Sequence, residues 1–140
     1  MRRAAFTLLE LVVVLTLAAI LMALAVPRFS AMRDGASVRA AVADLTADFS
    51  MARQSAMTRR VAVAVVLDTT SGVVELRSAA RTLSRRPLRA MYGIVLGANR
   101  DSAVYDSRGL GYGVSNLTMT VRRGLIVDTL TMSRLGRLRW

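Results

Sequence analysis

Cysteine, histidine and lysine are all missing from this 140-residue chain. Without cysteine there is no disulfide framework and no thiolate metal site. That does not bar an oxidising compartment, because a domain of this size can fold without staples. Without histidine, the commonest general base and metal ligand is gone. Without lysine, every side-chain cation is a guanidinium. Acids are also few: nine Asp and Glu against twenty arginines, a formal net charge of +11. Codon usage in a GC-rich genome would account for the preference for Arg over Lys; it would not account for the excess of Arg over acids. That excess points to an anionic partner such as nucleic acid or a membrane surface. The acids form no dense cluster for a metal. Asp44 and Asp48 lie one helical turn apart and read as a solvated helix face. Asp68, Asp101 and Asp106 fall in turn sequences. A protein with no enzymatic activity and no cofactor is expected.

What is present is a long apolar run at the front. Arg2 and Arg3 come first, then Ala4 and Ala5, then an apolar stretch from Phe6 to Val26 closed by Pro27. A helix needs about 20 such residues to cross a bilayer core. One acid, Glu10, interrupts it. An acid in such a run is unfavourable, by roughly 2.5–3.5 kcal/mol for Asp at mid-membrane. Glu10 sits only about one turn, roughly 6 Å, beyond Phe6, so its cost is smaller. An acid in a membrane segment calls for a function and a partner.

Phe6, Thr7, Leu8 and Glu10, behind a short basic leader, resemble the prepilin leader of type IV pilins and type II secretion pseudopilins. The resemblance implies cleavage between Ala5 and Phe6 by a prepilin peptidase, followed by methylation of the new amine. It gives Glu10 a partner, the Phe6 amine of a neighbouring subunit during assembly. It also implies an inner-membrane assembly platform, other pilin or pseudopilin subunits as partners, and no cofactor. The family usually has Gly before the cut, where this chain has Ala5. Losing the leader takes Arg2 and Arg3 and lowers the balance from +11 to +9. Two other readings stand beside it. A secretory signal peptide would use Ala23-Leu24-Ala25 as its cleavage site, but the apolar stretch is longer than usual and holds an acid. A plain membrane anchor leaves Glu10 unexplained.

Downstream, Pro27 suggests a kink rather than an end to the helix. Asp34-Gly35 is a second weak point, with Ser37 placed to cap a restarted helix. Val38, Val42, Leu45, Phe49, Ala52 and Ala56 then make one apolar stripe at helical spacing. After Arg60 the period changes. Residues 61–67 and 73–77 read as a hairpin around the turn composition Asp68–Gly72. Residues 78–91, with Arg81, Arg85, Arg86 and Arg89 around Pro87, read as an exposed basic loop. Short strands are expected at 94–96 and 102–105. Asp106–Gly113 reads as a glycine-rich turn, since no Lys-Ser/Thr and no helix follows it. Asn116–Val121 and Leu125–Met132 read as two further strands joined by a turn at Arg122-Arg123-Gly124, with Ile126, Leu130 and Met132 on one face. Ser133–Gly136 is a last bend.

The chain closes on Gly136-Arg137-Leu138-Arg139-Trp140. In an extended segment alternate residues share a face, which places Arg137 and Arg139 together. Trp140 adds a stacking surface. Guanidiniums with an aromatic suit nucleic acid, charge for phosphates and a ring for bases. The bland reading is an edge strand whose arginines discourage edge-to-edge pairing. Arg122-Arg123 and Arg85-Arg86 would extend the patch if folding brought them there.

The hairpin after the helix, Tyr105-Asp106-Ser107-Arg108-Gly109, two long strands and the closing Gly-Arg-x-Arg resemble the GspH/FimT group of minor pseudopilins. Some FimT-like subunits are associated with DNA capture in natural transformation through that closing motif.

The expected fold is α+β: a long amino-terminal helix, transmembrane and then amphipathic, packed on a carboxy-terminal antiparallel β-sheet domain. The expected division is a leader at 1–5, a membrane and filament-core helix at 6–27, its amphipathic half at 28–59, and a β-rich domain at 60–140. The expected place is the bacterial inner membrane, crossed once, with the β-rich domain in the periplasm. The expected function is a minor subunit at or near the tip of a type II secretion pseudopilus or type IV pilus. The alternatives are a DNA-binding minor pilin, taking double-stranded DNA on Arg137, Arg139 and Trp140, and a periplasmic domain that joins no filament.

Overall fold

Leu, Ala, Met and Arg are frequent in residues 8–59, and these types lose little on entering a helix. In the computed structural model, which describes residues 7–79, 81–112, 117–133 and 135–139, this stretch is one helix, α1 (Leu8–Arg59). Neither Pro27 nor Gly35 ends it. A helix of 52 residues absorbs interruptions that cost about 3 kcal/mol for Pro and about 1 kcal/mol for Gly. Ser37 therefore does not cap a restarted helix. Its hydroxyl instead accepts a hydrogen bond from Arg123.

The chain divides into two compact units, Met1–Arg33 and Asp34–Trp140. In the first, every Leu, Val, Ile and Met from Leu8 to Met22 is exposed. This part of α1 is long and apolar enough to cross a membrane, and none of its most apolar window is buried within the chain.

The second unit holds the core. From Asp34 onward α1 buries Val38, Ala41, Val42, Leu45, Phe49, Ala52 and Ala56, the stripe expected from spacing plus Ala41. It is followed by β1 (Val63–Asp68), β2 (Val73–Ser78), β3 (Arg81–Pro87), a short helix α2 (Leu88–Tyr92), β4 (Val95–Ala98), β5 (Ser102–Tyr105), β6 (Gly111–Tyr112), β7 (Leu117–Arg123), β8 (Ile126–Met132) and β9 (Leu138–Arg139). The strands form two antiparallel sheets where the sequence suggested one. The first has the order β3-β2-β1-β5-β6 and the second β4-β7-β8-β9. Alternation places Val63, Val65 and Leu67 of β1, and Leu117, Met119 and Val121 of β7, in the same core as the helix stripe. Phe49 meets Tyr105 edge to face, ring centroids 6.5 Å apart.

Three expectations are corrected. Residues 81–92 are a strand and a helix, not a loop. Arginine and serine hid the strand, because an edge strand needs no apolar alternation and tolerates Pro87 at its end. Arg122 and Arg123 close β7, and the turn is Gly124-Leu125. Ile126 shares parity with Leu130 and Met132 but is exposed near the hairpin tip, whereas those two are buried.

Asp68 builds the β1–β2 turn. Its carboxylate accepts from the N–H groups of Thr70 and Ser71 at 2.9 and 3.0 Å and from the Ser71 hydroxyl at 2.6 Å. The Ser71 hydroxyl and amide hold this carboxyl below its ordinary range. Asp106 does the same for the β5–β6 connection, accepting from the amides of Arg108 and Leu110 at 2.9 Å each. Its pKa is likewise lowered, first by Leu110.

Candidate functional site

The first turn of α1 carries Glu10 and shows why an acid is tolerated there. The Thr7 side-chain oxygen accepts a hydrogen bond from the Glu10 amide at 3.2 Å. Thr7 thus caps the helix, and Glu10 stands at the third helical position. Thr-x-x-Glu is the capping-box spacing, and the positive end of the helix dipole favours an acid at that position. The signal was present as Thr7-Leu8-Leu9-Glu10, but the sequence reading gave Glu10 only an assembly role. Ala5 and Phe6, the residues at the expected cut, lie outside the described residues.

The arginines of the second unit separate into spent and unspent ones. Arg86 on β3 grips Asp48 with two bonds, Nε at 2.8 Å and Nη2 at 3.0 Å, and reaches Asp44 with Nη1 at 3.1 Å. The Tyr92 hydroxyl donates to Asp44 at 2.7 Å. Asp48 is fully buried. This corrects the reading of Asp44 and Asp48 as a solvated face. Their one-turn spacing lets a single planar guanidinium from the edge strand serve both. The hydrogen bond to Asp48 raises the Arg86 pKa, and the bond to Asp44 raises that of Tyr92.

Arg123 does a similar job at the start of the second unit. Its Nε donates to Asp34 at 2.8 Å and its Nη1 to Ser37 at 2.9 Å. The same Nη1 also donates to the Tyr92 carbonyl. Glu75 takes Arg77 and Arg85; Asp106 takes Arg108. Arg85, Arg86 and Arg123 therefore do not extend a free basic patch from the carboxy terminus. They are committed to carboxylates.

The closing segment is different. Gly136 has φ +71°, the left-handed region, and a Cβ there would stand 2.7 Å from Cε1 of Tyr105. Only glycine fits both demands. The Tyr105 hydroxyl donates to the Gly136 carbonyl at 3.3 Å, and burial pushes its pKa up to about 12. The Arg137 amide donates to the Ser133 hydroxyl at 3.3 Å, and the Arg137 carbonyl accepts from the Ser133 amide at 2.9 Å. Arg139 pairs with Thr131 across β8 and β9. The backbone is thus fixed while Arg137 and Arg139 are both exposed. Their side chains line one groove of about 560 Å³ with Thr118, Thr131 and Ser133, and no carboxylate is among its lining residues. The expected pairing of the two arginines on one side holds. Trp140 lies outside the described residues.

The family described as the prokaryotic N-terminal methylation motif matches residues 1–26. No curated protein matches the chain. Two solved structures share its fold, both of the type IV minor pilin FimU of Pseudomonas aeruginosa PAO1. One is 16% identical over 77% of this chain and 90% of that one, with a TM-score of 0.66. The other crystal form is 15% identical over 72% and 90%, with a TM-score of 0.60. The chain thus carries the prokaryotic N-terminal methylation motif at its front and, behind it, a fold shared with those type IV minor pilins.

Proposed function

We propose that this chain is a minor subunit of a type IV pilus or type II secretion pseudopilus, placed at or near the filament tip. In this reading prepilin peptidase cuts between Ala5 and Phe6, the new amine is methylated, and the helix holds the chain in the bacterial inner membrane. The β-rich part then stands in the periplasm. One observation carries the reading: an apolar helical surface from Leu8 to Met22 that its own chain leaves bare, headed by an acid in the first turn. Lipid covers such a surface before assembly and neighbouring helices cover it afterwards, with Glu10 drawn to the Phe6 amine of another copy. Mass spectrometry of the membrane-purified protein tests processing. A methylated terminus at Phe6 is expected; an uncut Met1, or a terminus at Val26, overturns the reading. Glu10→Ala is expected to abolish incorporation into filaments; normal incorporation of that variant would overturn the role given to Glu10, and a parent chain found in no filament would favour a periplasmic domain instead.

A second reading, a DNA-binding minor pilin, is favoured by the carboxylate-free groove that Arg137 and Arg139 share. Duplex DNA binding is then expected to weaken with salt. It is also expected to weaken when both arginines become Gln. Binding indifferent to those substitutions is generic attraction and counts against this reading.

A further inference from the structure

Arg53 stands apart from the clamped arginines. It lies on the helix face that lines a cavity with the closing segment, and its Nε is buried with no hydrogen-bond partner among the described residues. A buried donor left unpaired is costly. Arg53 lines a cavity of about 320 Å³ with Ser50, Tyr105, Gly136 and Arg137. Its surroundings are fixed. A Cβ on Gly109 would stand 3.2 Å from the Arg53 Nε, and one on Gly136 would stand 3.2 Å from the Gly109 carbonyl. The Arg53 charge also acts on buried Tyr105. Thr46 and Ser50 donate their hydroxyl protons to helix carbonyls, and the charged residues that line the cavity are Arg53 and Arg137. No carboxylate lines it. Asp34, Asp44, Asp48, Glu75 and Asp106 are engaged elsewhere. Arg137 lines both this cavity and the groove that holds Arg139. With about 30 Å³ per water, the cavity admits a phosphate group and several waters.

We propose that Arg53 and Arg137 are the two jaws of one phosphate site, which takes a backbone phosphate of duplex DNA while the adjoining groove at Arg139 takes the next. This rests on the DNA-binding reading and adds to it a contact from the helix, far in sequence from the closing motif. Two arginines lining one cavity without a carboxylate favour an anion with several acceptor oxygens, as a phosphodiester has.

The test uses the full chain in zwitterionic nanodiscs and a short DNA duplex, titrated over a range of salt. The variants are Arg53→Gln, Arg53→Lys, Arg137→Gln, the double Arg53→Gln/Arg137→Gln, and Arg81→Gln, an exposed arginine on the other sheet, as control. Arg53→Gln is expected to weaken binding about as much as Arg137→Gln and to lower the salt slope by about one. Arg53→Lys should keep the slope, which separates charge from a mere packing role. The double variant should lose less than the product of the two single losses, because both act on one phosphate. If Arg53→Gln behaves like Arg81→Gln while Arg137→Gln weakens binding, the site is overturned and the DNA reading stands. If no variant differs from the control, both fall.

Discussion

Replacing Arg86 with Met tests whether the charge cluster on α1 fastens the edge strand or decorates it. Asp48 is fully buried and meets Arg86 through two bonds of 2.8 and 3.0 Å. Removing the guanidinium leaves a buried carboxylate unpaired, which costs about 3–5 kcal/mol. That is a large share of the 5–15 kcal/mol that typically separates folded from unfolded chains. Asp44 keeps the Tyr92 hydroxyl, so the loss falls mainly on Asp48. The assay is urea unfolding of the fragment from residue 29, which retains every buried hydrophobic residue of the described chain. With a slope of about 2 kcal/mol per molar urea, the midpoint should fall by roughly 2 M. The double variant Asp48→Leu/Arg86→Met should return to within about 1 kcal/mol of the parent, because neither charge is then stranded. A single-variant loss below about 1 kcal/mol, the range of an exposed pair, would refute the argument. So would a double variant that simply sums the two single losses.

Tyr105 predicts loss of stability at alkaline pH. Burial raises its folded pKa to about 12, against about 10 when unfolded. Its contribution is therefore complete below about pH 10 and is lost as pH rises through 12, about 3 kcal/mol in all. Unfolding midpoints measured from pH 9 to pH 12 should fall less steeply in Tyr105→Phe than in the parent. Gly136→Ala should cost at least about 1–2 kcal/mol for the left-handed backbone and more for the contact with Tyr105. On the DNA-binding reading it should also weaken that binding with both arginines still in place; an unchanged unfolding midpoint would deny Gly136 its positioning role. Tyr92→Phe should cost about 1 kcal/mol through the lost bond to Asp44, read as a shift in the same urea midpoint.

The helix and most of the strands were legible because apolar spacing announces them. The stripe from Val38 to Ala56 is buried as its period implied, and the pair Arg137 and Arg139 share a groove as alternation implied. What stayed hidden depends on contacts between distant residues. Asp44 and Asp48 look solvated along the chain, and only Arg86, 38 residues beyond Asp48, makes burial tolerable. β3 lacks a pattern of its own because it draws its hydrogen bonds from β2. Arg53 falls outside the apolar stripe of the sequence, and its relation to Arg137 arises only from the fold. The division into two sheets is set by strand pairing between β1 and β5 and between β4 and β7, which no local signal carries.

The bare front of α1 has a thermodynamic consequence. Among the described residues every buried hydrophobic lies in the second unit, so that unit's free energy of folding is its own. The front half has no such independence. Whatever wraps it, acyl chains or sister helices, adds a favourable term by mass action. The resistance of the whole molecule to unfolding is thus no fixed constant: it rises with the supply of covering surface, and the chain with its front helix covered should outlast the same chain with that helix bare.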